Sequence, residues 1–182
     1  STSTSLLAAS MLESPPLSPP LSMLDHNFGL DLAAIEKEVD ANTKMIFVCS
    51  PNNPTANIMD ADAIQKLCET YADTALIIVD ETYIEFSDQP SSIAKLDQFA
   101  NLVVLRTLSK SHAAAGLRCG AAVARGDVTS LLRKVLAPYP LAAPVINAAL
   151  TILKPENTAM LAEKRADIVM RRNGYAKEFA KF

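Results

Sequence analysis

Four short apolar runs set the rhythm of this chain: 45–49 (MIFVC), 75–79 (ALIIV), 102–105 (LVVL) and 121–124 (AAVA). The first three predict buried strands, the run 45–49 covered on both faces as in a parallel sheet, and 121–124 is a fourth apolar segment. Between them the apolar spacing becomes helical. Asp31 is placed to cap a short helix carrying Leu32, Ile35 and Val39, and Asp60 to cap a second carrying Ile64, Leu67, Cys68 and Tyr71. Helices are also predicted over 128–136 and 144–153, on either side of the break Ala137-Pro138-Tyr139-Pro140. The last helix, over 158–182, carries Leu161, Ile168, Tyr175 and Phe182 at seven-residue spacing, with Gly174 as its weak point. Strands alternating with helices predict an α/β fold, a mostly parallel sheet flanked by helices.

The pattern divides the chain in three. Residues 1–27 open on a Ser/Pro-rich stretch with the pairs Pro15-Pro16 and Pro19-Pro20. Prolines withhold amide donors and the stretch has little to bury, so it reads as an extended or disordered leader or linker outside the fold. Residues 28–153 form one α/β domain, and 154–182 a long helix leading onward. The chain stops at Phe182 in mid-pattern, without a cap, which reads as truncation. With 182 residues, 49% of them apolar, the chain can bury one substantial core. A net charge of −3 offers no basic footprint for nucleic acid or an anionic membrane. No apolar run approaches the roughly 20 residues of a membrane span, so a soluble protein is expected. Cys49, Cys68 and Cys119 have no metal-ligand spacing and read as reduced core thiols in a cytosolic compartment. His26 and His112 are the only histidines, and neither has a second ligand nearby in sequence, so no metal site is expected.

In open parallel sheets, ligands bind beyond the carboxyl ends of the strands. Three successive predicted strands release polar residues just past those ends: Asn53, then Asp80, then Thr107, Ser109 and Lys110. If the strands are parallel neighbours, these groups converge on one crevice. Lysine is the side chain that forms imines with carbonyls, and Lys110 is read as that residue. Thr107, Ser109 and Arg118, eight residues past the lysine, suit the phosphate of a phosphorylated aldehyde, because a guanidinium can fork onto phosphate with two parallel hydrogen bonds. Asp80 follows a run of aliphatic residues, and a carboxylate starting in so dry a place needs several donors or a cation such as a protonated ring nitrogen. Tyr83 could donate its phenol to a ring oxygen, and Asn53 is held before Pro54 on a restricted backbone. Each has a plainer alternative: a surface lysine or arginine, a turn-capping aspartate, a packing tyrosine, a turn asparagine.

Taken together, SPNNPT (50–55), VDETYIEF (79–86), LRTLSK (105–110), AGLRCG (115–120) and KVLAPYPL (134–141) are recognisable. From Phe28 onward the chain resembles the histidinol-phosphate aminotransferases, fold-type I enzymes dependent on pyridoxal 5'-phosphate. The resemblance implies part of the large domain of the PLP-dependent transferase-like fold. It also implies that Lys110 is the catalytic residue, holding the cofactor and moving a proton between it and the substrate Cα. Asp80 would pair with the pyridinium nitrogen, Tyr83 and Asn53 would bind the ring 3'-oxygen, and Thr107, Ser109 and Arg118 would hold the cofactor phosphate. The implied reaction moves an amino group between L-histidinol phosphate and 2-oxoglutarate in histidine biosynthesis. The implied partners are a small-molecule amino donor, a 2-oxo acid and a second copy in a cytoplasmic homodimer. Family members are longer at both ends, with a phosphate-binding helix N-terminus upstream and a small domain with substrate-binding arginines downstream.

Two departures stand out. The family usually has glycine after NPT, where this chain has Ala56; a positive φ there would cost alanine about 1 kcal/mol or more. After the lysine the family commonly has Ala-Phe, where this chain has Ser111-His112. Two other readings stand beside the transaminase. One is a neighbouring enzyme with the same cofactor, such as an aromatic aminotransferase or a threonine-phosphate decarboxylase. The other is a non-catalytic folding or interaction module.

Overall fold

The computed structural model describes residues 5–7 and 28–181. Its centre is a five-stranded sheet in the order β1-β5-β4-β3-β2, with β1 Ser5–Leu7, β2 Met45–Cys49, β3 Leu76–Asp80, β4 Leu102–Thr107 and β5 Gly120–Ala124. β2, β3 and β4 are parallel, while β5 runs antiparallel to β4 and β1 antiparallel to β5. The helices are α1 (Leu32–Glu38), α2 (Ala61–Thr70), α3 (Gly126–Val135), α4 (Ala143–Ile152) and α5 (Pro155–Phe179). Asp31 and Asp60 cap α1 and α2 as their positions predict, accepting from the amides of Ala34 and Asp62. No helix among the described residues is long and apolar enough to cross a membrane.

The two faces of the sheet are covered differently. On one, Ile46, Val48, Ile77, Val79, Leu102, Val104 and Val123 pack against Ile35 of α1 and Ile64, Leu67 and Cys68 of α2. Burial of this kind stabilises by about 25 cal/mol per Å² of apolar surface, so this is the larger core. Burial raises the Cys68 thiol pKa to about 11, which keeps it a protonated core residue. Buried Asn101 ties the end of α2 to the start of β4, donating to the carbonyls of Cys68, Tyr71 and Ala75. On the other face, Ile78, Val103 and Ala124 meet Val128 of α3, with Leu132 alongside.

Two expectations are corrected here. The run 45–49 is covered on one face only: Met45 is 55% and Phe47 64% exposed, because the α3 cluster reaches β3 and stops short of β2. Part of the stretch expected to lie outside the fold joins the sheet, Ser5–Leu7 pairing with Ala122–Ala124; the remainder of 1–27 lies outside the described residues. The long helix expected near the end of the chain is present as α5, with Leu161 of its seven-residue stripe buried and Ile168 and Tyr175 exposed. The helix runs unbroken through Gly174, and Phe182 lies outside the described residues.

Candidate active site

The register places the site. Cys49 pairs with Asp80, and Asp80 with Leu105, so the carboxyl ends of β2, β3 and β4 share one edge. β5 runs the other way, which brings its first residue, Gly120, opposite Thr107 at that same edge. The reversal is what returns the backbone at Cys119 to the crevice. Gly120 permits it by lacking a side chain, since a Cβ there would lie 2.8 Å from the Arg106 carbonyl oxygen.

Asn53, Tyr83 and Lys110 meet around one phenol. The Asn53 side-chain amide lies 3.4 Å from the Tyr83 hydroxyl, and the Lys110 ammonium sits 5.6 Å from the centre of the same ring. Asp80 ends β3 half-buried; its Oδ1 accepts from the Thr82 amide at 2.9 Å and the Thr82 hydroxyl at 2.6 Å. Its Oδ2 accepts no hydrogen bond from the described residues. The turn-capping role and an open carboxylate oxygen therefore coexist in one side chain. Nearby, burial pushes the Cys49 thiol up, opposed by a backbone hydrogen bond at Asn53 and reinforced by the Asp80 charge.

Thr107 and Ser109 form the second group. The Thr107 hydroxyl donates to Ser109 Oγ at 2.9 Å and accepts from the Ser109 amide at 3.1 Å. Arg118 is the residue not brought in. It sits in the left-handed region at φ 49, exposed, with Nη1 turned back onto the Ala115 carbonyl at 3.1 Å. Its backbone neighbour does reach the loop: the Leu108 amide donates to the Cys119 carbonyl at 3.1 Å.

Below this surface lies an ion cluster that the sequence reading did not single out. Glu81 is 1% exposed and accepts from the Ser91 hydroxyl and the Ser92 amide, each at 2.6 Å. Arg106 joins it at 3.5 Å and Glu85 at 2.5 Å. A buried carboxylate with these partners fixes β3 against β4 just below the crevice. The signal was present, since Arg106 directly follows one buried run and Glu81 lies one residue past another. Two cavities flank the 84–86 turn. One of about 600 Å³ is bordered by Asn53, Ala56, Tyr83 and Arg172, the other of about 800 Å³ by Glu85, Phe86, Arg165 and Met170.

This sheet edge and these motifs define a class. The chain belongs to the aminotransferase class I and II family, which it matches over residues 16–181. It is 44% identical over 149 residues to histidinol-phosphate aminotransferase 2 of Mannheimia succiniciproducens, covering 82% of this chain and 42% of that protein. It is 46% identical over 143 residues to histidinol-phosphate aminotransferase of Pectobacterium atrosepticum, covering 79% of this chain and 40% of that one. The chain thus spans roughly two fifths of the length of these relatives. In fold it is similar to the histidinol-phosphate aminotransferase of Clostridium acetobutylicum (TM-score 0.73, 22% identity, 87% of this chain and 48% of that one). It is also similar to L-threonine-O-3-phosphate decarboxylase of Porphyromonas gingivalis (TM-score 0.56, 28% identity, 64% and 36%). The resemblance read from the motifs, and the mostly parallel α/β sheet it implied, are borne out.

Proposed function

We propose that this chain supplies the cofactor-binding part of a pyridoxal 5'-phosphate-dependent transaminase acting on L-histidinol phosphate and 2-oxoglutarate. Residues 28–153 are the cofactor domain, and the helix α5, Pro155–Phe179, leads from it. The observation that carries the reading is the meeting of Asn53, Tyr83 and Lys110 around one phenol, beside Asp80 and the Thr107–Ser109 pair. These residues fit the cofactor: an open carboxylate oxygen for a ring nitrogen, a phenol and amide for a ring oxygen, and paired hydroxyls for a phosphate. When bound, the cofactor supplies a carbonyl for the lysine and an electron sink for charge developing at the substrate Cα.

The chain's own residues then divide the work. The Asp80 carboxylate would pair with the ring nitrogen and favour its protonated form. Tyr83 and Asn53 orient the ring through its oxygen. Thr107 and Ser109 donate to the phosphate, which Arg118 joins once its guanidinium leaves the Ala115 carbonyl. Lys110 would take the proton from the substrate Cα as a general base and deliver it as a general acid to the cofactor's C4'. Amino donor and 2-oxo acid use the site in alternation, so ping-pong kinetics are expected. The protein is read as a cytoplasmic homodimer. The fold likeness to a threonine-phosphate decarboxylase supports a second reading, in which the same cofactor site releases carbon dioxide from a phosphorylated amino acid.

The test is to incubate the chain with pyridoxal 5'-phosphate, reduce with borohydride and map the label, with Lys110→Ala as control. Stoichiometric label on Lys110, absent from the variant, is the expected result. Scattered labelling of other lysines, equal in the two proteins, would remove the assignment of Lys110. Carbon dioxide release from L-threonine phosphate, with no amino transfer from L-histidinol phosphate, would decide for the second reading.

A further inference from the structure

Lys110 begins a tight turn, Lys110-Ser111-His112-Ala113, closed by the Ala113 amide on the Lys110 carbonyl at 3.0 Å. The Ala114 amide on the Leu108 carbonyl, also at 3.0 Å, closes a wider loop around it. Ala113 takes φ 52, a left-handed conformation that costs a non-glycine residue about 1–2 kcal/mol, so further contacts must hold the turn. The two central side chains supply that hold. Ser111 is 4% exposed, and its hydroxyl lies 2.9 Å from His112 Nδ1. Arg165 of α5, 54 residues on, donates to the Ser111 carbonyl at 3.4 Å.

Three charged groups act on the half-buried imidazole from three elements. Glu85 comes from the 84–86 turn, Arg106 from β4 and Arg165 from α5. Glu85 spends one oxygen on Arg106, which is itself shared with Glu81, and its Oε2 is buried without a hydrogen-bond partner. The neutral imidazole accepts from Ser111 or donates to it, according to tautomer. The imidazolium can only donate, so a Ser111 hydroxyl that had donated to the neutral ring must turn. Its new charge then attracts the open Glu85 oxygen and repels both arginines. Arg165 is the same group that ties the turn to α5.

We infer that His112 is a positioning residue for Lys110: as the neutral imidazole, bonded to Ser111, it holds the turn that presents the lysine, and its protonation loosens that turn from α5. The inference rests on the reading of Lys110 as the reactive lysine. Burial is the largest influence on His112 and pushes its pKa below 6.5, with Glu85 opposing and Arg165 and Arg106 adding to the fall. A folded-state pKa below the unfolded value means that stability is fully present above pH 6.5 and is lost as pH falls through the folded value.

With only two histidines in the chain, isotope-labelled histidine NMR isolates the group, His26→Gln assigning the other signal. The expected result is a His112 midpoint below 6.5 that falls further in Glu85→Gln. The protection of the Ala113 amide against exchange should fall severalfold as pH passes that midpoint, and should be flat with pH in His112→Gln. A midpoint at the free-imidazole value, or Ala113 protection unchanged across the midpoint in the unsubstituted chain, overturns the inference. Neither readout needs cofactor, so both stand even if borohydride finds no label on Lys110. If label is found, its rate should inflect at the His112 midpoint and lose that inflection in His112→Gln.

Discussion

The two loops that frame the crevice are built on opposite plans. The asparagine loop, 50–57, is stitched largely to itself. The Asn52 amide donates to the Asn57 carbonyl and the Ala56 amide to the Asn52 carbonyl, both at 2.9 Å. Thr55 links the Asn52 and Asn57 side chains, and Ser50 Oγ accepts from the Met59 amide at 3.0 Å. The lysine loop, 107–119, depends on distant parts of the chain. Arg165 reaches it from α5, β5 must pass close enough to require glycine at 120, and the Glu81–Arg106–Glu85 cluster underlies it. Asn53 is therefore aimed by its own neighbourhood, and Lys110 by the assembled fold. A change in a remote element should disturb the lysine side first.

The largest expected effect comes from Glu81→Ala. It removes a buried carboxylate from Arg106 and strands the Ser91 hydroxyl and Ser92 amide. Breaking a buried pair by deleting one partner costs about 3–5 kcal/mol, so a fall of about 3 kcal/mol in urea unfolding is expected. Amide exchange should quicken in 107–114 before it does in 52–57. Equal loosening of both loops would mean that they are one cooperative unit.

Gly120→Ala comes next. The new methyl would meet the Arg106 carbonyl, which is backbone and cannot swing aside, so β5 must shift at a cost of about 1–3 kcal/mol. Because Gly120 lies opposite Thr107, the hydroxyl pair should be displaced with it. The checks are the unfolding midpoint and the affinity for inorganic phosphate, both falling. A variant as stable as the parent would show that the strand edge yields more freely than its geometry suggests.

This difference between the loops also explains what the sequence could convey. Strand runs, both capping aspartates and the carboxyl-end residues were legible because each depends on a few neighbours in sequence. The sharing of one sheet edge by Asn53, Asp80 and Lys110 followed from parallel order alone, while the place of Tyr83 between Asn53 and Lys110 did not. The exposed side of β2 was not legible: an apolar run records that a strand is buried, and not that its covering helix stops one strand short. The turned-back Arg118 was likewise hidden, since its position beside the loop follows from spacing and its rotamer does not. Arg165 was invisible for the same reason that the lysine loop is remote-dependent, its partner lying 54 residues away.

The smallest effect should come from the self-stitched loop, and it should have the opposite sign. Ala56 sits at φ 61, so the penalty that the sequence reading attached to alanine here is present in the structure. Its methyl is exposed and contributes little packing. Ala56→Gly removes about 1–2 kcal/mol of left-handed strain and returns about 0.4–1 kcal/mol of unfolded-chain entropy, a net gain of about 0.5–1 kcal/mol. Urea unfolding should show the midpoint rising at constant slope, while exchange in 107–114 stays unchanged. A fall in stability would mean that the Ala56 methyl is held by contacts this geometry does not contain. A rise accompanied by slower exchange in 107–114 would mean that the asparagine loop reaches the lysine turn through Tyr83, and the two plans would then be one.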